Sequence, residues 1–191
     1  MGVDVGGKRK GFDAALIDDG RLLRLEGRLS CDELLELVRT CAPALVGIDS
    51  PRSCAPDGQH SRAGERQLAR SICGIRFTPE RSRVERDPYY AWVREGLALF
   101  DALSALGADV IEVFPTASWT RWQGMRGRQK RSAWTRRGLG ELGLDGLPRR
   151  TNQDQRDAIA AALTARLHSR GATETMGEIV VPTVSRDRPS S

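Results

Sequence analysis

The sequence predicts an α/β protein built on a mixed sheet, with three antiparallel strands followed by parallel strands and with helices on both faces. Two alternating segments, Phe12–Asp18 and Arg21–Leu29, flank the turn Asp18-Asp19-Gly20-Arg21 and read as an antiparallel meander with the first strand. A capped helical segment then leads into the continuous apolar run Ala44–Ile48, the spacing of a parallel crossover. A later apolar run, Asp109 to Phe114, and a final alanine-lined helix complete the alternation of strand and helix.

Each element has a local reason. Residues 2–5 form a short apolar strand stopped by Gly6-Gly7. Ser30 and Glu33 make a capping box, and Leu34, Leu35, Leu37 and Val38 give the following segment a helical apolar face. Ser50-Pro51 ends the strand at Ile48. Residues 61–72 are expected to be helical, and Gly74 to Asp87 has no clear period and is expected to be a loop. Asp87 caps a helix with Pro88 in its first position, running to Gly107. The last helix starts at Thr151 or Asn152 and stops at Gly171, with Asp154, Asp157, Ala158, Ala161 and Ala165 along one side. That side lets the helix approach a sheet closely. A short strand at Glu178–Val181 follows.

The 191 residues fit a single domain over 1–182, with a basic Trp/Arg-rich insertion at about 116–150 and a disordered tail at 183–191. A formal net charge of +5 suits an anionic partner. No apolar run reaches the roughly 18–20 residues of a membrane span. With no signal peptide before the first strand and four scattered cysteines, a cytoplasmic protein with reduced thiols is expected. The cysteine and histidine spacing argues against zinc.

Chemistry concentrates in acids at the ends of these elements: Asp4, Asp49, Glu112 and the pair Asp154/Asp157. Three of them border apolar runs, where an ionised carboxylate is costly unless a positive charge meets it. Brought together, Asp4, Asp49, Glu112, Asp154 and Asp157 call for a divalent cation, Mg²⁺ or Mn²⁺, because hard oxygen ligands select hard cations. Each acid also has an ordinary reading. Asp4 and Asp49 can serve turns, Glu112 a solvated strand face, and Asp154 the helix dipole. The segment 121–150 holds Arg121, Arg126, Arg128, Lys130, Arg131, Arg136, Arg137, Arg149 and Arg150 against Glu141 and Asp145. Trp119, Trp122 and Trp134 are interleaved with it. Arginines for phosphates and tryptophans for base stacking suit a nucleic-acid groove; a solvated segment anchored by its tryptophans is the other reading. No Gly-x-Ser-x-Gly elbow or Walker loop occurs.

Taken in order, Gly2-Val3-Asp4 with Lys10-Gly11-Phe12, Ile48-Asp49-Ser50-Pro51, Arg62…Glu65…Arg70, Glu112-Val113-Phe114-Pro115-Thr116-Ala117-Ser118-Trp119 and Asp154…Asp157-Ala158-Ile159 resemble the ribonuclease H-like superfamily. Within it they resemble the family named domain of unknown function 429, described as nucleases on the strength of the fold. The resemblance implies a ribonuclease H-like core with its acids around a metal site. The expected function is phosphodiester hydrolysis of DNA or RNA. Asp4, Glu112 and Asp157, with Asp49 or Asp154, would hold two ions about 3.5–4 Å apart. Lys10, Arg121, Arg126, Arg128, Lys130, Arg131, Trp122 and Trp134 are the expected substrate contacts. Two other classes stay open: an actin-like or sugar-kinase-like nucleotide-binding enzyme, because Asp4-Val5-Gly6-Gly7 also looks like a first phosphate loop, and a nucleic-acid-binding module without catalysis.

Overall fold

The structure is a computed structural model and describes residues 1–6 and 10–183. The expected disordered tail, apart from Thr183, and Gly7 of the diglycine lie outside the described residues. Among the described residues, seven strands form one mixed sheet in the order β3-β2-β1-β4-β5-β7-β6. β1 (Gly2–Val5), β2 (Phe12–Asp18) and β3 (Arg21–Leu29) are the antiparallel meander. β4 (Val46–Asp49) then joins β1 in parallel, β5 (Val110–Val113) joins β4 in parallel, and β7 (Ile179–Pro182) joins β5 in parallel. The C-terminal ends of β1, β4 and β5 therefore open on one edge, the place where a crevice forms in such sheets.

α1 (Cys31–Cys41) begins at the anticipated Ser30/Glu33 capping box. With α4 (Ala91–Ala105) it covers one face, where Leu34, Val38, Leu99, Phe100 and Leu103 pack on Val3, Val5, Val46, Ile48 and Val110. The opposite face carries α7 (Gln153–Ser169), capped by Asn152 and Gln155. Two strand glycines explain how closely α7 lies. A Cβ on Gly2 would fall 2.0 Å from the Ala162 nitrogen, and one on Gly47 would fall 2.8 Å from the Ala161 carbonyl oxygen. Alanine on the helix and glycine on the strands let the backbones touch.

α5 (Pro115–Gln123) and α6 (Arg131–Glu141) pack against α7, burying Trp119, Trp134 and Leu139 with Ile159 and Ala160. α2 (Ala63–Ser71) confirms the helix expected at 61–72. Gly74–Asp87 is not entirely a loop: α3 (Arg81–Arg86) forms there, with Val84 buried. So short a helix is specified by one packed side chain, which periodicity does not reveal. Pro88–Tyr90 is a 3₁₀ turn, so the α-helix proper starts at Ala91. The polar edge strand β6 (Thr173–Met176), antiparallel to β7, was not anticipated. Among the described residues, no helix is long and apolar enough to cross a membrane.

Candidate acidic cleft at the strand ends

Register decides which acids meet. Asp4 lies beside Asp49 across the parallel β1–β4 pair. Each stands two residues beyond the glycine that touches α7, so by strand alternation both carboxylates face that helix. The first turns of α7 bring Asp154 and Asp157 to the same place. Asp4, Asp49, Glu112, Asp154 and Asp157 all line one cleft of about 710 Å³, together with Glu65, Lys10, Arg62, Arg126 and Arg131.

The electrostatics of this cluster are unbalanced. Burial, with the neighbouring charges of Asp49, Asp157 and Asp154, pushes the Asp4 carboxyl from 3.8 up to about 10. Burial and Asp157 push Asp49 up to about 8, against the opposing pull of Arg131 and a hydrogen bond with Asp4. The Asp157 carboxyl is also raised by burial, though Arg131, Gln153 and Trp119 counter it. Arg131 Nη2 donates to Asp157 Oδ2 at 2.8 Å, Gln153 Nε2 donates at 3.0 and 3.1 Å, and Trp119 Nε1 donates at 3.3 Å. Lys10 Nζ reaches Asp154 Oδ2 at 3.3 Å, an exposed contact. Among the described residues, direct ion pairs thus serve Asp157 and Asp154, while Asp4 and Asp49 have none and both carboxyls are raised by burial and by their acidic neighbours.

Glu112 lines the same cleft but is held by an arginine. It is opposite Ile48 in the β4–β5 register, on the strand face of α1 and α4, and its charge is close enough to help raise Asp49. Its two oxygens accept from Arg62, Nη1 at 2.7 Å to Oε2 and Nη2 to Oε1, and Oε2 also accepts from the Arg52 backbone N–H at 2.8 Å. Arg62 in turn donates through Nε to Glu65 at 3.1 Å and through Nη1 to Glu178 at 3.2 Å. Glu65 accepts from the Thr78 N–H at 3.0 and 3.1 Å. Burial disfavours the charged guanidinium, but Glu112 and Glu65 outweigh it and hold Arg62 above the usual arginine range. Burial raises Glu112 against the opposing bond from Arg62. This buried network clamps residues 52–65 to the end of β5. The motif Arg62…Glu65 was visible in the sequence; its partnership with Glu112 was not, because only the register supplies it.

The expected substrate contacts divide. Lys10, Arg126 and Arg131 line the cleft. Arg128 and Lys130 are exposed and do not line it. Arg121 pairs with Glu174, tying α5 to β6, and is not a cleft residue. Trp134 also borders the cleft, but it is 1% exposed and belongs to the core beneath α7, so its ring offers no open face to a base. Trp122 packs edge-on against Trp119 at 5.3 Å and lines a small apolar hollow with Leu142 and Leu163. The physical reason is common to both tryptophans: α5 and α6 need apolar anchors against α7, and burying an indole there outweighs leaving it in water.

Among the described residues, no group of three or more His, Cys, Asp or Glu side chains is placed so that it could hold a metal ion as it stands. The donor chemistry nevertheless fits a hard divalent cation, since the acids that meet there offer carboxylate oxygens and, among the described residues, Asp4 and Asp49 form no salt bridge.

The model of the family described as "Protein of unknown function (DUF429)" matches residues 2–180. Among solved structures, RuvC of Thermus thermophilus in complex with Holliday junction substrate is 18% identical, with a TM-score of 0.51, over 89% of this chain and 93% of that one. A second structure of Thermus thermophilus RuvC is 18% identical with a TM-score of 0.49, over 91% of this chain and 96% of that one. No curated protein is significantly similar to the chain. The chain shares its fold with RuvC, a mixed sheet with helices on both faces as the sequence resemblance implied.

Proposed function

The chain belongs to the DUF429 family, and from that premise we propose that it is a divalent-metal-dependent nuclease hydrolysing phosphodiester bonds of DNA or RNA. One observation carries the reading: β1, β4 and α7 each deliver a carboxylate, Asp4, Asp49 and Asp157, into one cleft, where burial and mutual repulsion raise Asp4 and Asp49 above the usual carboxylate range. Asp4, Asp49 and Asp157, with Asp154 beside them, would hold Mg²⁺ or Mn²⁺, and Glu112 is not in that set. A bound divalent cation supplies a lowered pKa for an attacking water and an offset for charge on the leaving oxygen.

The remaining chemistry belongs to the protein's own side chains. Trp119 and Gln153 hold the Asp157 carboxylate in one orientation by donating to its oxygens. Arg131, now on Asp157, lines the cleft and can take a phosphate oxygen of an entering strand. Lys10 stands in the same relation to Asp154, and its exposure makes it the first cation a substrate meets. Arg62 is spent on Glu112, Glu65 and Glu178, so it supports the Asp49 loop and does not bind phosphate.

The RuvC relative holds a Holliday junction, which supports including four-way DNA among the substrates. The test incubates the purified protein with labelled single-stranded DNA, RNA, duplex DNA and a four-way junction, in Mn²⁺, Mg²⁺ or EDTA. Cleavage that requires the metal and falls by about 100-fold or more in Asp49→Asn and Asp157→Asn is expected. Cleavage that persists at the parental rate in either variant, or no cleavage of any substrate in Mn²⁺, contradicts the reading.

A further inference from the structure

With Trp134 buried and Trp122 half-buried against α7, outside the cleft lining, the base-stacking surface must be sought elsewhere. Cleft-lining residues beyond the acids include Ile75, Arg76, Trp92 and Phe114. Arg76 is exposed, forms no ion pair with any described carboxylate, and lies with its Cζ 6.0 Å over the ring of Tyr89. Tyr89 is 55% exposed and Phe77 is 43% exposed, unusual for large apolar side chains in a protein with a full core. Tyr90 braces Tyr89 edge-on, with ring centroids 5.0 Å apart.

The backbone beneath these rings is fixed. Thr78, next to Phe77, donates its N–H to the buried Glu65 at 3.0 and 3.1 Å. The Asp87 carboxylate accepts from the Tyr89 N–H at 2.9 Å, and Arg94 donates to the carbonyl oxygens of Val84 and Asp87. Exposed aromatic rings on a braced backbone cost little ordering entropy when a ligand stacks on them. Arginine beside aromatic rings, at the mouth of a cleft, matches the two demands of a single strand: stacking for the base and positive charge for the phosphate. Gly74, Ile75, Arg76 and Trp92 line the same cleft to which β1, β4 and α7 send their acids; Phe77 follows Arg76 in the chain and Tyr89 lies under its guanidinium, so the two rings stand just outside that lining.

We propose that this rim, Arg76, Phe77 and Tyr89 leading inward to Trp92, is a stacking platform for unpaired nucleotides, so that the substrate presents single-stranded bases beside the scissile phosphate. The proposal deepens the nuclease reading and rests on its nucleic-acid substrate. Duplex DNA keeps its bases stacked on one another and has none to offer the rim.

The test measures binding without metal, so it does not depend on cleavage. Fluorescence anisotropy in EDTA at low salt follows a labelled twelve-nucleotide oligothymidylate and an abasic strand with the same number of phosphates. The intact protein binds the oligothymidylate about 10-fold or more tightly than the abasic strand. Tyr89→Ala and Phe77→Ala each weaken oligothymidylate binding by roughly 5- to 100-fold and leave the abasic strand within about 2-fold, while Tyr89→Phe restores parental affinity. Arg76→Ala weakens both strands. Thermal melts check that these exposed substitutions leave the fold intact. Equal affinity for the two strands, an unaltered Tyr89→Ala protein, or binding of neither strand overturns the proposal. Base-dependent binding in a protein that cleaves nothing would sustain the platform and remove only the nuclease reading.

Discussion

Replacing Asp4 by asparagine should make the metal-free protein more stable at neutral pH. Asp4 is raised from 3.8 to about 10 by burial and by its acidic neighbours. A carboxyl whose folded pKa exceeds its unfolded value contributes stability that is complete below about pH 4 and is lost as pH rises toward 10. At pH 7 the gap above 3.8 is about 3 pH units at about 1.36 kcal/mol each, an upper bound near 4 kcal/mol. Solvent reaching the open cleft reduces this, and about 2–4 kcal/mol is expected. For a chain of this size that is a rise in Tm of about 5–15 °C. Asparagine keeps the shape and one acceptor oxygen and removes the charge. Calorimetry in EDTA at pH 4, 7 and 9 should show almost no difference at pH 4 and a widening advantage for Asp4→Asn above it. Adding 10 mM Mg²⁺ at pH 7 should raise the Tm of the parent and leave the variant unchanged. An Asp4→Asn protein less stable than the parent at pH 7, or a difference independent of pH, would refute the electrostatic argument.

Three further outcomes follow from the same geometry. Glu112→Gln leaves Arg62 buried with less compensation and should cost about 2–4 kcal/mol in a urea melt. Its Mn²⁺ affinity by calorimetric titration should stay within about 3-fold of the parent, whereas a loss like that of Asp49→Asn would return Glu112 to the ligand set. Gly47→Ala pushes a methyl to within 2.8 Å of the Ala161 carbonyl oxygen and should cost about 1–3 kcal/mol while weakening Mn²⁺ binding, because α7 carries Asp157; a variant with parental stability would show that α7 can recede freely. Arg131→Ala removes the charge that holds Asp157 and Asp49 down, so both rise and the acidic limb of any cleavage profile should move about 0.5–1 pH unit upward. A limb that moved downward would contradict the assignment.

Much of the sheet could be read from the chain because its signals are local. The turn at Asp18-Asp19-Gly20-Arg21, the Ser30/Glu33 box and the Asn152 start of the last helix each rest on a few adjacent residues. α3 and β6 escaped because a six-residue helix and a four-residue polar edge strand depend on tertiary contacts more than on pattern. The acids divide the same way. Asp4 and Asp49 converge because each stands at the end of a strand beside its parallel neighbour. Glu112 looks equivalent in sequence, but a shift of one position in register puts it on the other strand face, where Arg62 receives it at the wall of the same cleft. The tryptophans misled for a related reason. An arginine-rich stretch with indoles has the same composition whether the indoles face solvent or a helix. Alanine on α7 leaves room that Trp119 and Trp134 fill.

The central claim is that Asp4, Asp49 and Asp157 form a single cation site. The direct measurement is a crystal of the protein soaked in Mn²⁺, with diffraction recorded at the manganese edge. The account predicts an anomalous peak among the carboxylates of Asp4, Asp49 and Asp157, with Glu112 still on Arg62. A peak at Glu112 with Arg62 displaced, or a fully soaked crystal with no peak at the strand ends, would contradict it.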